Sequence, residues 1–206
     1  MSQPPSAALR ASFGEIDIYL FDQILRGRFD SRRRVLDAGC GEGRNLVYFL
    51  REGFDCYGLD RDAGAVGQLR RLAASVAPRL SPGQFVTGEI DRLPWADASM
   101  DAVICSAVLH FAEDRDHFGR MVEELWRVLG GNGLLFTRLA SNIGLEAETG
   151  AAGRRVQLPD GSNRFVVDEA MLFEWTSRLG GRLIDPIKTT NVQGQRCMTT
   201  WCVVKE

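Results

Sequence analysis

No apolar run in the 206 residues approaches the roughly 18 that a membrane-spanning helix requires. The amino terminus, Met1-Ser2-Gln3-Pro4-Pro5-Ser6, also lacks the basic and then apolar order of a secretory signal, so a cytoplasmic location is expected. Five cysteines, at positions 40, 56, 105, 197 and 202, form no CxxC pair, and the two histidines lack metal-ligand spacing. This pattern argues against a structural zinc and reads as buried thiols in a reducing compartment. Cys197 and Cys202 are expected to be small core residues rather than redox or nucleophilic groups. An excess of positive charge is missing as well. With 25 Lys and Arg against 27 Asp and Glu, a formal charge of −2 and a pI near 5.8, the chain is poorly suited to gripping polyphosphate, and a nucleic-acid partner is not expected.

The remaining composition, 45% apolar and 25% charged, is ordinary globular usage, and the length fits one domain over 1–206 without internal repeats. One stretch stands out. Val35-Leu36-Asp37-Ala38-Gly39-Cys40-Gly41-Glu42-Gly43-Arg44-Asn45 reads as an apolar strand ending near an aspartate, a glycine-rich turn and the start of a helix. Glycines at 39, 41 and 43 permit positive φ and a close ligand approach, and the following helix is expected to offer unpaired N–H groups. Such a turn suits a nucleotide-like cofactor.

Spacing decides which one. The dinucleotide fingerprint G-x-G-x-x-G has its third glycine three positions after the second, under a pyrophosphate. Arg44 stands at that position here, and the third glycine comes one residue early. About twenty residues past the turn, Cys56-Tyr57-Gly58-Leu59-Asp60 is a second apolar run ending in a carboxylate, where nucleotide folds place an acid for ribose hydroxyls. Gly88-Glu89-Ile90-Asp91-Arg92-Leu93-Pro94-Trp95 follows, then Met100-Asp101-Ala102-Val103-Ile104-Cys105-Ser106-Ala107-Val108-Leu109-His110-Phe111, and finally Glu123-Glu124-Leu125-Trp126-Arg127-Val128-Leu129-Gly130-Gly131-Asn132-Gly133-Leu134-Leu135-Phe136.

Together these four motifs, in this order over residues 35–138, resemble the class I S-adenosylmethionine-dependent methyltransferases. The resemblance implies S-adenosylmethionine as cofactor and S-adenosylhomocysteine as product. It places Asp37, Gly39, Cys40 and Gly41 at the cofactor turn, Asp60 on the ribose with Arg61 beside it, Glu89 and Ile90 at the adenine, and Ser106 near the methionine amine. Asp91 competes with Glu89, because the family more often has Asp at that place.

The fold class implied is α/β: a doubly wound, Rossmann-like, mostly parallel seven-stranded sheet with an antiparallel C-terminal strand and a small hairpin insertion. Strands are expected near 34–38, 55–60, 84–87, 101–106 and 133–139, and helices near 16–28, 43–52, 63–77 and 116–129. In the last of these helices Phe118, Met121, Val122, Leu125, Trp126 and Leu129 form a core-facing stripe. Strands separated by helices pair in parallel, and ligands sit beyond their carboxyl ends, which gathers the loops after Asp37, Asp60, Thr87 and Ser106 on one edge.

Within the single domain the reading divides the chain into an N-terminal helical cap (1–30), a cofactor-binding half (31–140), an inserted acceptor-side loop and hairpin (141–167), and a C-terminal helix and strands (168–206). The hairpin turn is Pro159-Asp160-Gly161-Ser162, between 155–158 and 164–167, and the tail is expected to form a helix near 168–179 and strands near 183–189 and 197–204.

Methyl transfer from a sulfonium is an in-line displacement that asks for alignment, desolvation and, for a hard nucleophile, removal of a proton. His110 and Arg138 are the catalytic candidates, the latter as a binder of an anionic acceptor; Asp114 and His117 are further candidates. A small-molecule acceptor is favoured, since the chain has neither an Asn/Asp-Pro-Pro-aromatic motif nor a Pro-Cys nucleophile. The cluster Arg26, Arg28, Arg32, Arg33 and Arg34 leaves an RNA or protein methyltransferase as an alternative, although a solvated charged face is the favoured reading. A second alternative is a module that binds the cofactor without transferring its methyl group, and a dehydrogenase is a remote third. Gly41-Glu42-Gly43-Arg44-Asn45 and the short plan look like the branch that holds tellurite-resistance and small-metabolite methyltransferases.

Overall fold

The computed structural model describes residues 5–206. Two short helices, α1 (Pro5–Phe13) and α2 (Ile18–Leu25), precede β1 (Arg34–Ala38), and then α3 (Val47–Arg51), β2 (Asp55–Asp60), α4 (Ala63–Val76), β3 (Phe85–Thr87), β4 (Met100–Ser106), α5 (Arg115–Val128) and β5 (Leu129–Ser141) alternate. After α6 (Glu146–Thr149) come the strands β6 (Arg154–Gln157) and β7 (Asn163–Val166), then α7 (Glu169–Arg178), β8 (Gly181–Leu183), β9 (Lys188–Val192) and β10 (Arg196–Lys205).

The main sheet runs β3-β2-β1-β4-β5-β10, and the far edge of β10 is shared by β8 and β9. β1, β2, β3, β4 and β5 pair in parallel, whereas β10 is antiparallel to β5, to β8 and to β9. The sheet is buried on both sides because its central strands carry runs of successive apolar residues, and alternate residues serve opposite faces. Leu36, Val103, Leu135 and Val203 enter the core shared with α5 and α7; Val35, Ile104, Phe136 and Cys202 enter the one shared with α2, α3 and α4. α4, α5 and α7 begin on aspartates that accept from their own first turn: Asp62 from Gly64 and Ala65, Asp114 from His117, and Asp168 from Met171. Each such cap is worth about 1 kcal/mol.

The structure departs from the sequence pattern in three places. The expected helix over 43–52 begins only at Val47, because residues 39–46 are consumed by tight turns closed from Gly43 to Cys40 and from Leu46 to Gly43. The single strand expected over 183–189 is two pieces: Pro186 has no N–H for a ladder, and the Asp185 carboxylate is engaged by Gln23 and Arg26. The hairpin strands lie one residue earlier than the turn chemistry indicates. Its turn is the expected one, with Gly161 at φ +82° and Asp160 accepting from Ser162 N–H. The inserted hairpin packs back on the turn Leu109–Phe111, where Arg155 donates to the Phe111 and Ala112 carbonyls. Among the described residues no helix is long and apolar enough to cross a membrane.

Candidate functional site

The carboxyl ends of β1, β2, β3 and β4 converge on a cavity of about 360 Å³. Gly39 and Arg44 come from the first loop, Leu59, Asp60 and Arg61 from the second, Gly88, Glu89 and Ile90 from the third, and Ser106, Ala107, Val108 and Phe111 from the fourth; His117 and Met121 of α5 complete it. Of the residues assigned to the cofactor from sequence, Gly39, Asp60, Arg61, Glu89, Ile90 and Ser106 line this cavity. Asp37, Cys40 and Gly41 lie beside it.

Asp60 ties two loops together. One carboxylate oxygen accepts from the Gly41 N–H at 2.8 Å, the other from the Asp62 N–H at 2.9 Å, so the group is oriented before any ligand arrives. The turn gives up other donors in the same way: the N–H groups of Gly39 and Cys40 both reach the Leu59 carbonyl, at 2.7 and 3.0 Å. The turn therefore presents space rather than a row of unpaired donors. Gly39, at φ +85°, admits no side chain, since a Cβ would lie 2.2 Å from Val108 Cγ2; at Gly41, φ +51°, a Cβ would meet nothing within 4 Å. The Cys40 side chain turns away from the ligand edge into the core under β2, and burial pushes its thiol up.

Asp37 is fully buried, and neither of its carboxylate oxygens has a hydrogen bond of full geometry, although the Asn45 side chain lies close enough to favour its charged form. Burial pushes its carboxyl up to about 7, with the charge of Arg44 acting in the opposite direction. On the third loop, Glu89 is exposed at the cavity wall, whereas Asp91 points to His117 and Arg120, each at 3.8 Å, and lines no part of the cavity. After β4 the chain turns through Ala107, a non-glycine residue at φ +65° held by its N–H to the Arg138 carbonyl at 2.7 Å.

Behind Ser106 lies a polar knot centred on Asp17, a residue that the sequence motifs do not include. Asp17, 4% exposed, caps α2 through the Tyr19 N–H and accepts from Ser106 Oγ at 3.1 Å and Arg138 Nη1 at 3.2 Å, while its own N–H donates to Asn45 Oδ1 at 3.1 Å. One aspartate thus joins the N-terminal helices to the glycine-rich turn, β4 and β5. The Arg138 guanidinium lies 5.0 Å over the Tyr19 ring, and its Nε has no partner. Tyr19 in turn shares a hydroxyl–hydroxyl bond with Thr190.

His110 is buried against Phe111 and lines no part of the cavity; its Nδ1 has no partner, and burial, helped by Arg164, pulls its pKa down to about 4. Asp114 serves as the α5 cap. His117 does line the cavity, with Nδ1 accepting the Glu113 N–H at 3.2 Å. Met121 belongs to the core stripe and also reaches the cavity. The arginine cluster before β1 is not a bare basic face: Arg26, Arg28 and Arg34 pair with carboxylates, Arg32 donates to the Arg28 and Asn132 carbonyls, and Arg33 lies over Phe54.

A family model described as a methyltransferase domain matches residues 36–137. The malonyl-[acyl-carrier protein] O-methyltransferase of Enterobacter lignolyticus is 32% identical over 150 residues, which covers 71% of this chain and 55% of that protein. The chain spans about half the length of the curated relatives it matches. Among solved structures, a SAM-dependent methyltransferase of Methanosarcina mazei superposes with a TM-score of 0.67 at 19% identity, covering 88% of this chain and 96% of that one. Magnesium protoporphyrin IX methyltransferase of Synechocystis, solved with bound SAH, gives 0.68 at 16% identity, covering 100% and 90%. At these identities the structural likeness is one of fold.

Proposed function

The chain belongs to the class I S-adenosylmethionine-dependent methyltransferase family, and from that premise we propose that it moves a methyl group from S-adenosylmethionine to a small-molecule acceptor by in-line displacement. The observation that carries the reading is the Asp60 carboxylate, fixed by two loop N–H groups at the wall of a cavity whose volume of about 360 Å³ lies within the range of about 300–1,000 Å³ usual for small-molecule sites. The residues present fit the cofactor. Asp60 retains lone pairs and would accept from the ribose hydroxyls, Glu89 and Ile90 would meet the adenine, and Ser106 would stand at the methionine end. The open space over Gly41 leaves room for the ligand, and Asp37, buried with two unmatched oxygens, favours a cationic group nearby. Arg61 flanks the ribose acid.

Bound there, the cofactor supplies an electrophilic methyl group on a sulfonium. The protein contributes alignment and exclusion of water. Arg138, locked to Asp17 and stacked on Tyr19, acts by positioning the wall behind Ser106. His110 is buried and neutral, and the Nδ1 lone pair of His117 already accepts the Glu113 N–H, so neither histidine is given a proton-transfer role. The carboxylates and carbonyls engaged by Arg26, Arg28, Arg32 and Arg34 argue against the macromolecular alternative.

The test is incubation of the protein and methyl-labelled donor with a cell extract split into low-mass and macromolecular fractions. Label is expected in a low-mass product. Label confined to RNA or protein would overturn the small-molecule reading, and binding without label in either fraction would favour the non-catalytic module.

A further inference from the structure

At the mouth of the cavity the ring of Phe111, 38% exposed, lies beside two guanidinium groups. Arg164 of β7 has its Cζ 4.8 Å from the ring centroid, and Arg61, after β2, has its Cζ at 5.7 Å. Both lie within cation–π distance. Neither forms an ion pair among the described residues, whereas Arg26, Arg34, Arg127 and Arg138 do.

A guanidinium carries five N–H donors. Arg164 gives one to the Asn163 carbonyl at 3.2 Å, and Arg61 makes no hydrogen bond among the described residues. Arg155 behaves differently: its donors go to the Phe111, Ala112 and Asn163 carbonyls, which pins the hairpin to the turn carrying Phe111. The hairpin is thereby held where Arg164 stands on the ring. Asp60 and Glu89 line the same cavity, yet neither pairs with Arg61, and the Asp60 oxygens already accept from Gly41 and Asp62.

We infer that Arg61 and Arg164, ordered on Phe111, form a subsite for an oxyanion, so that the acceptor is a small molecule bearing a carboxylate or a phosphate. The inference rests on the proposed methyl transfer and names the chemical class of its acceptor. Planar forks with unused donors match the geometry of both groups, and stacking on an aromatic face orders the forks before the anion arrives. The inserted hairpin then has a defined task, because it brings Arg164 onto Phe111, at the rim of a cavity whose own lining comes from the loops of the parallel strands and from α5.

The test is calorimetric titration of the protein saturated with S-adenosylhomocysteine, using malonate, inorganic phosphate and neutral malonamide as probes. One of the two anions is expected to bind more tightly than malonamide, and which one does so separates a carboxylate from a phosphate acceptor. In Arg164→Gln that anion should bind about tenfold more weakly, while S-adenosylhomocysteine affinity stays within about twofold. Arg61→Gln gives the same anion readout should the hairpin not tolerate the first change. Equal binding of malonamide and both anions, or anion binding unchanged in both variants, would overturn the subsite. If S-adenosylhomocysteine itself fails to bind, the cofactor reading falls, and the same titrations on the unloaded protein decide the subsite alone.

Discussion

Replacing Gly39 by alanine separates the two reasons for a glycine at the head of the turn. At φ +85° an L-residue costs about 1–2 kcal/mol. The new Cβ would stand 2.2 Å from Val108 Cγ2 and 3.1 Å from both Cβ and Cγ1, an overlap of the kind that costs about 1–3 kcal/mol when a core is overfilled. The sum, about 3 kcal/mol, corresponds to a fall in Tm of about 6–12 °C for a chain of this size. Gly41→Ala is the internal control: at φ +51° with nothing within 4 Å it carries the backbone cost alone, about 1 kcal/mol. Urea denaturation at constant m reads both. Trimming the obstacle in Gly39→Ala/Val108→Ala should recover the steric share, a coupling of about 1–2 kcal/mol relative to the single changes. A Gly39→Ala variant no less stable than Gly41→Ala, or a double variant without recovery, would refute the close approach of these two loops.

Asp17→Asn should lose about 2–3 kcal/mol in the same assay, because it leaves the Arg138 charge beside a neutral amide in a largely buried place, and it should also weaken S-adenosylhomocysteine binding through Ser106. An unchanged stability would mean that the knot is not formed. Two buried groups impose opposite pH slopes on the unliganded protein. His110, pulled down to about 4 from 6.5, is neutral in the fold, so the unfolded chain binds the extra proton and stability falls as pH drops from about 6.5 to about 4. Asp37, pushed up to about 7 from 3.8, holds a proton in the fold, so stability falls as pH rises through the same window towards about 7. Because the two slopes nearly cancel in the wild type, denaturation across this range should show stability rising with pH by up to about 3 kcal/mol in Asp37→Asn and falling with pH by up to about 4 kcal/mol in His110→Gln; parallel curves would show that neither group is held as described.

The parallel half of the sheet was legible because its strands carry successive apolar residues, a pattern set by burial on both faces, and end at Asp37, Asp60 and Ser106, with a glycine-rich turn after the first. The cavity lining from those loops followed from the rule that ligands meet such sheets at the carboxyl ends. Asp17 was not legible: in sequence it falls inside the helix expected over 16–28, and its partners Ser106 and Arg138 are 89 and 121 residues away. Met121 hid inside a helical stripe because one residue can belong to a core and to a cavity wall. The tail strand was read as continuous although Pro186 was visible, since edge strands tolerate proline and only the pairing with β10 shows the break.

The most direct measurement is calorimetric titration of the wild-type protein and Asp60→Ala with S-adenosylmethionine, S-adenosylhomocysteine and NADH. The account predicts micromolar binding of the first two to the wild type, loss of both in the variant and no binding of NADH. Binding of NADH alone, or sulfonium binding indifferent to Asp60, would contradict it.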